Sequence, residues 1–288
     1  MLCPPRKQKK EDENMKIKNI LRKRNASLRY EAMSAVASAA TGAADLLCAP
    51  PSIKNAKRVL CVQPHPDDNQ IGMGGTIAYM RSLGIEVYEL TVTDDRFAEP
   101  EYIGKENEVV TIRQKEALAS QQALGMKNAG FLGFADKNDN TEREISLKVM
   151  EVIRKIKPDY VFTVDPNLAT ECHSDHIKVG NAVKYAVMDA QCDFYPEFID
   201  GKKRDDAWKV TAIGFYYTDK PNTLVDISDF EEEKMKAVKC HVSQAEPALL
   251  AAIMLQQKMF AEGTEYKAAE PLRMLNNLQI HCFNLPVE

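Results

Sequence analysis

The chain is poor in the residues that would make its function obvious. It has one tryptophan and five histidines in 288 residues, no CxxC pair, and no apolar run near the ~20 residues that a membrane span requires. Each absence excludes something. The seven cysteines (Cys3, Cys48, Cys61, Cys172, Cys192, Cys240, Cys282) are odd in number and scattered. They outline neither a disulfide framework nor a structural zinc knot, and they suit a reducing cytoplasm. There is no basic excess either. A formal charge of -4 leaves no footprint for nucleic acid or an anionic membrane surface, whereas neutral or sugar-like small molecules stay open.

What is present is a hydrophobic fraction of 44%, enough to fill the core of an ordinary globular protein. Residues 1–50 read separately, as a charged tail followed by a basic and then alanine-rich stretch, expected to be an N-terminal helical extension. Residues 51–288 contain no internal repeat and no linker rich in Pro, Gly or Ser, so a single domain is expected there.

From Arg58 onward short β-rich runs alternate with helix-period runs, which predicts parallel strands joined by crossover helices. The fold expected is α/β, a Rossmann-like three-layer sandwich with a mostly parallel sheet. "RVLCVQ", "IEVYELTVT", residues 129–132 and "YVFTV" read as strands. Thr141 and Glu144 form a capping-box pattern before a stripe of Ile145, Val149, Val152, Ile153 and Ile156, and Pro158 stops that helix. Asp175 is the expected N-cap of another helix, and Ser228 with Glu231 the expected start of a third.

Three of the five histidines fall in two places. His65 follows the first strand in "VQPHPDDNQIGMGGTI", and His173 and His176 follow "YVFTV" in "ECHSDH". Loops leaving the carboxyl ends of parallel strands line one crevice, so these distant segments can meet. A catalytic zinc takes three ligands from His and Asp or Glu and keeps one position open for water; His65, Asp68 and His176 would supply them. The spacing His65-x-x-Asp68 turns both side chains one way and leaves Asp67 as a free carboxylate, placed to act as general base. His173 would stand over the same site, where a cationic imidazole stabilises an oxyanion or protonates a leaving amine, and Asp175 would orient an imidazole.

Other readings of the same residues compete. "PHPDDN" is also an acceptable solvated turn, and "HSDH" an ordinary helix start. The glycines after His65 approach a dinucleotide fingerprint, but Ile77 occupies its last glycine position and the acids would repel a pyrophosphate; close helix packing is the better account of Gly72, Gly74 and Gly75. A two-metal phosphoesterase needs more bridging carboxylates, and a mononuclear iron oxygenase uses the same two-His, one-carboxylate set. A sugar- or nucleotide-binding module without turnover also remains open.

At these residues the chain resembles the zinc-dependent N-deacetylases of the LmbE and PIG-L family. The likeness covers most of residues 58–245 and rests on "HPDD", the Gly-x-Gly-Gly after it, "RQKEALASQQALG", "HSDH" and "VDISDFEEEKMKAVKCHVSQ". It implies a hydrolase of linear amides that removes acetyl groups from N-acetylglucosamine-containing substrates, with one zinc per subunit held by His65, Asp68 and His176 and with Asp67 as base. It also implies substrate contacts from Arg113 and Asp136. Two positions depart from the family pattern. Asn69 stands where glutamate is usual, and Glu171 stands where members acting on thiol-associated glucosaminides have tyrosine. "ECHSDH" with a non-Glu residue after "HPDD" is closer to the diacetylchitobiose deacetylase branch.

Three further residues are read from position alone. Arg113 shares a helical stripe with Val110, Ala117 and Leu124, where a lone charge is unusual and a pair with Glu116 is the plain alternative. Arg96, with Asp94, ends the second strand within reach of the crevice, as a substrate contact or a solvated turn. His241 falls on the apolar stripe of Phe230, Ala237 and Val238 and reads as a core histidine. The expected partner is an N-acetyl sugar or glycoconjugate; no nucleic acid is expected, and a homo-oligomer is compatible with the sequence.

Overall fold

Alternate residues of the first strand, β1 (Arg58–Gln63), enter different hydrophobic clusters: Val59 and Cys61 on one face of the sheet, Leu60 and Val62 on the other. A strand covered on both faces reads as a nearly continuous apolar run, which is why "RVLCVQ" lacks polar alternation. The computed structural model describes residues 49–98, 104–137, 139–197 and 201–281. The tail and helical extension expected in residues 1–50 lie outside the described residues but for 49 and 50.

Residues from Pro50 onward form one compact unit. Its sheet has seven strands in the order β3-β2-β1-β4-β5-β7-β6. They are β1, β2 (Glu86–Thr93), β3 (Lys127–Phe134), β4 (Tyr160–Val164), β5 (Ala212–Tyr216), β6 (Thr223–Asp226) and β7 (Ala269–Asn276). The first five pair in parallel, and β7 runs antiparallel between β5 and β6. One face carries α1 (Asp68–Ser82), α2 (Glu106–Ala123) and α5 (Glu231–Val238); the other carries α3 (Glu142–Ile156) and α4 (Ser174–Asp189). The expected three-layer α/β sandwich is the fold observed. Among the described residues no helix is long and apolar enough to cross a membrane, and Cys61, Cys172, Cys192 and Cys240 are free.

The helix ends follow local chemistry. Thr141 caps α3 through a complete capping box with Glu144. For α4 the cap is His173 rather than Asp175: the His173 side chain accepts the Asp175 N–H, while the Asp175 carboxylate is turned to other donors. Similarly α5 starts at Glu231 after Phe230, because the Ser228 hydroxyl is engaged with Asp226 and with the Lys267 N–H.

Helix α1 leaves helical geometry at Met73, where φ is -147°. A break of this kind frees backbone N–H groups that need acceptors. Glu270 of β7 supplies them, accepting from Gly75 N at 3.0 Å and Thr76 N at 2.6 Å, and it also pairs with buried Lys234 at 2.6 Å. The helix approaches the sheet so closely that a Cβ on Gly72 would lie 2.3 Å from the Tyr216 ring, and one on Gly75 2.8 Å from Ile227. These glycines serve packing.

Candidate metal centre and active site

Strands β1 and β4 are neighbours, but the chain reaches β4 only after building β2 and β3 on the far side of β1. The strand order therefore reverses between them, and the loops at their carboxyl ends diverge around a crevice. His65 leaves β1 on one side, and His173 and His176 follow β4 on the other. Ring centroids are 5.3 Å apart for His65 and His176, 4.6 Å for His65 and His173, and 4.9 Å for His173 and His176. Each of the three brings a ring nitrogen within 4.8 Å of the others.

Asp68 sits between two of these rings. Its Oδ2 is 3.2 Å from His65 Nδ1 and its Oδ1 is 3.2 Å from His176 Nε2. Burial opposes ionisation of Asp68, yet the His176 and His65 imidazoles hold its carboxyl well below the usual range. Burial likewise opposes a charge on His65, but the Asp175 and Asp68 carboxylates push it up to about 11. Such a knot of imidazoles and one acid, each stabilised by the other's charge, is a donor set that fits a divalent metal. Asp175 Oδ2 stands 3.4 Å from His65 Nε2 and accepts the Lys137 N–H at 2.9 Å.

Asp67 turns away from the knot. Its Oδ2 accepts from Arg113 Nη2 at 2.8 Å, and Arg113 also donates from Nε to Asp95 at 2.6 Å and from Nη1 to Glu116 at 3.0 Å. Arg113 is only 1% exposed, and its three carboxylates explain how it tolerates burial. The pair with Glu116 that helical spacing offered as the plain alternative is one of three. Glu116 is in turn held by the Ser243 N–H and hydroxyl.

The crevice has a volume of about 250 Å³. His65, Asp67, Arg113, Asp136 and His173 all line it, together with Phe97, Lys137 and Gln244. Asp136 is 3% exposed, and its buried Oδ1 has no hydrogen-bond partner among the described residues. Arg96 is not part of the lining; its guanidinium pairs with Asp94, with Nε 3.0 Å from Oδ1. His241 is 1% exposed, as expected for a core histidine, and burial lowers it to about 4. A larger cavity of about 530 Å³ is bordered by Pro50, Tyr79, Asp226, Phe230 and Tyr266 but holds no histidine.

Several site residues escaped the sequence reading. Asp95, Lys137 and Tyr217 follow β2, β3 and β5 with φ of 56°, 54° and 54°. That left-handed region costs a non-glycine residue about 1–3 kcal/mol, and such strain gathers where function demands it. All three touch the site: Asp95 holds Arg113, Lys137 donates to Asp175, and the Tyr217 hydroxyl donates to the Asp68 carbonyl at 3.3 Å. The acid doublet Asp94-Asp95 at a strand's carboxyl end was a signal for the first. Glu171, noted only as a departure, accepts from His176 at Nδ1 (2.8 Å) and from the His173 N–H (2.7 Å). Asn69 donates to Glu89 Oε2 at 3.0 Å, on a buried carboxylate that also takes Gln70 and Gln121.

Comparison with known proteins agrees with this architecture. A diacetylchitobiose deacetylase of Thermococcus kodakarensis is 36% identical over 237 residues, covering 79% of this chain and 86% of its own. The solved N,N'-diacetylchitobiose deacetylase of Pyrococcus horikoshii, complexed with an inhibitor, superposes with a TM-score of 0.73 at 32% identity, covering 81% of this chain and 88% of that one. A 4-carboxy-2-hydroxymuconate hydratase of Pseudomonas putida shares the fold alone, with a TM-score of 0.62 at 18% identity over 76% of this chain and 95% of its own. Residues 60–187, which carry both histidine loops, match the profile of PIG-L, GlcNAc-PI de-N-acetylase. With that match and a relative of this identity and coverage, the chain belongs to the PIG-L family.

Proposed function

We propose that the protein is a metal-dependent hydrolase that removes the acetyl group from an N-acetylated amino sugar or glycoconjugate. The observation that carries this reading is the meeting of His65, Asp68 and His176 around one point, with Asp67 beside them on a separate hydrogen-bond system. His65, Asp68 and His176 are the proposed ligands of one zinc ion per subunit. When bound there, zinc would polarise the acetamide carbonyl and make water a nucleophile at neutral pH.

The remaining chemistry belongs to the protein. Asp67 takes a proton from the attacking water as the new C–O bond forms, and passes it to the sugar nitrogen as the C–N bond breaks. Arg113 keeps the Asp67 carboxylate fixed through Oδ2, so Oδ1 is the oxygen that accepts. His173 contributes as a neutral imidazole. Burial holds it below its ordinary value, and its Nδ1 accepts the Asp175 N–H at 3.3 Å. The ring proton is therefore on Nε2, available to the negative charge that develops on the acetamide oxygen.

Asp136 is the proposed acceptor for a sugar hydroxyl, since its Oδ1 is buried in the crevice wall without a partner among the described residues. The deacetylation named for the Thermococcus and Pyrococcus relatives supports the choice of an N-acetyl sugar. A mass-spectrometric screen of N-acetylated mono- and disaccharides tests it: loss of the acetyl group with release of acetate is expected. Binding without acetate release would replace it with a non-catalytic binding module. His65→Ala or His176→Ala should abolish metal retention, and Asp67→Asn should retain metal while losing about 10²–10⁴-fold in turnover.

A further inference from the structure

A neutral imidazole carries one proton and has two tautomers, of which only one offers a lone pair at Nε2. The group facing Nδ1 decides between them. For His176 that group is Glu171: Oε2 lies 2.8 Å from Nδ1, while Nε2 on the other side of the ring faces Asp68 Oδ1 at 3.2 Å. The glutamate is itself fixed. Its Oε1 accepts the His173 N–H at 2.7 Å, its own N–H donates to the Leu168 carbonyl at 3.0 Å, and its side chain is 14% exposed. A single carboxylate thus ties the backbone at the start of α4 to the ring on that helix's first turn.

We propose that Glu171 is a positioning residue that holds His176 as the Nδ1–H tautomer and so presents Nε2 to the metal. The inference rests on the metal centre proposed above. It also accounts for the departure at this position. An acid that reaches back to the His176 ring serves the ligand, and the hydrogen bond to the developing oxyanion is left to His173. His65 is oriented differently, with Asp68 and the more distant Asp175 on its two nitrogens.

The test is zinc affinity, measured on the full chain by competition with a chromophoric chelator, for wild type, His176→Ala, Glu171→Ala and Glu171→Gln. Removal of a hydrogen-bond partner behind a ligating histidine weakens metal binding by about 10–100-fold, which is expected for Glu171→Ala. Glu171→Gln should fall between, because glutamine keeps the shape but can accept only one of the two bonds. It is also the variant to rely on if the alanine form does not fold. In the zinc-loaded protein, nitrogen-15 and proton spectra of the imidazoles should show a His176 Nδ1 proton shifted downfield by its hydrogen bond in wild type and lacking that shift in Glu171→Ala. Wild-type affinity in both Glu171 variants, with His176→Ala still losing zinc, would overturn the role of Glu171 and leave the metal centre standing. A wild-type chain that binds no zinc, or a His176→Ala chain that binds it unchanged, would overturn the centre and the inference with it.

Discussion

Arg113 Nη2 lies 2.8 Å from Asp67 Oδ2, and the same guanidinium holds Asp95 and Glu116. One buried cation therefore sets the position of the proposed base relative to two other acids. Lysine has three donors but on one compact ammonium without the planar fork, so it cannot hold these three carboxylates in the same places. Arg113→Lys should retain zinc and lose about 100-fold in kcat, the scale of effect of a small misplacement at a reacting group. Steady-state kinetics with a parallel zinc assay measures both; kcat within twofold of wild type would sink the positioning role.

Asp136 should matter to binding more than to chemistry. Asp136→Ala removes an acceptor worth about 1–3 kcal/mol to a neutral hydroxyl donor, or roughly 5–150-fold in affinity. The expected result is a raised KM with kcat little changed. A loss confined to kcat would instead place Asp136 at the reacting bond.

Asn69 and Glu89 should behave as one unit. A second carboxylate at position 69 would stand where Asn69 Nδ2 now donates to Glu89, 3.0 Å away inside the core. Asn69→Glu alone should destabilise the protein by a few kcal/mol, and the double variant with Glu89→Gln should recover most of that loss. Urea unfolding of the four members of the cycle gives the coupling. Strict additivity would show that the two positions do not sense each other.

Glu89 also makes stability depend on pH. Burial pushes it up to about 7 against three amide donors, from an ordinary value of 4.5. The folded chain then binds a proton that the unfolded chain has released, so stability should fall as pH rises from about 4.5 to 7 and level off above. The full effect is ~3 kcal/mol, an upper figure, since a shift of one unit is about 1.4 kcal/mol. Comparing wild type with Glu89→Gln in chelator across this range isolates it; parallel curves would refute the assignment.

Lys234 and Glu270 form a buried pair at 2.6 Å. Lys234→Met leaves Glu270 charged and buried, with only the Gly75 and Thr76 N–H groups as partners, and should cost about 3–5 kcal/mol. Thermal unfolding measures it. A cost below 1 kcal/mol would mean that those two backbone donors suffice.

The sequence made some elements plain and concealed others for physical reasons. Arg58–Gln63 and Tyr160–Val164 are buried on both faces, so their apolar runs stand out, and the Thr141 capping box is entirely local. Strand β7 was hidden because Glu270 and Pro271 interrupt it, and Glu270 is there to serve α1. The two histidine-bearing segments were visible as unusual composition at strand ends. The groups that hold them in place were not, since Asp95 reaches Arg113, and Glu89 reaches Asn69, only through tertiary approach. Asp175 was legible as a site acid, but the cap is His173, whose ring accepts the Asp175 N–H.

Glu270 reaches Gly75 across 195 positions of sequence. A nascent chain that has emerged from the ribosome as far as Ala268 already contains His65, Asp68 and His176, yet it lacks the acceptor for the two amides exposed by the break in α1. The helix that begins at the proposed ligand Asp68 is thus completed by β7, which couples that ligand's own helix to the antiparallel side of the sheet.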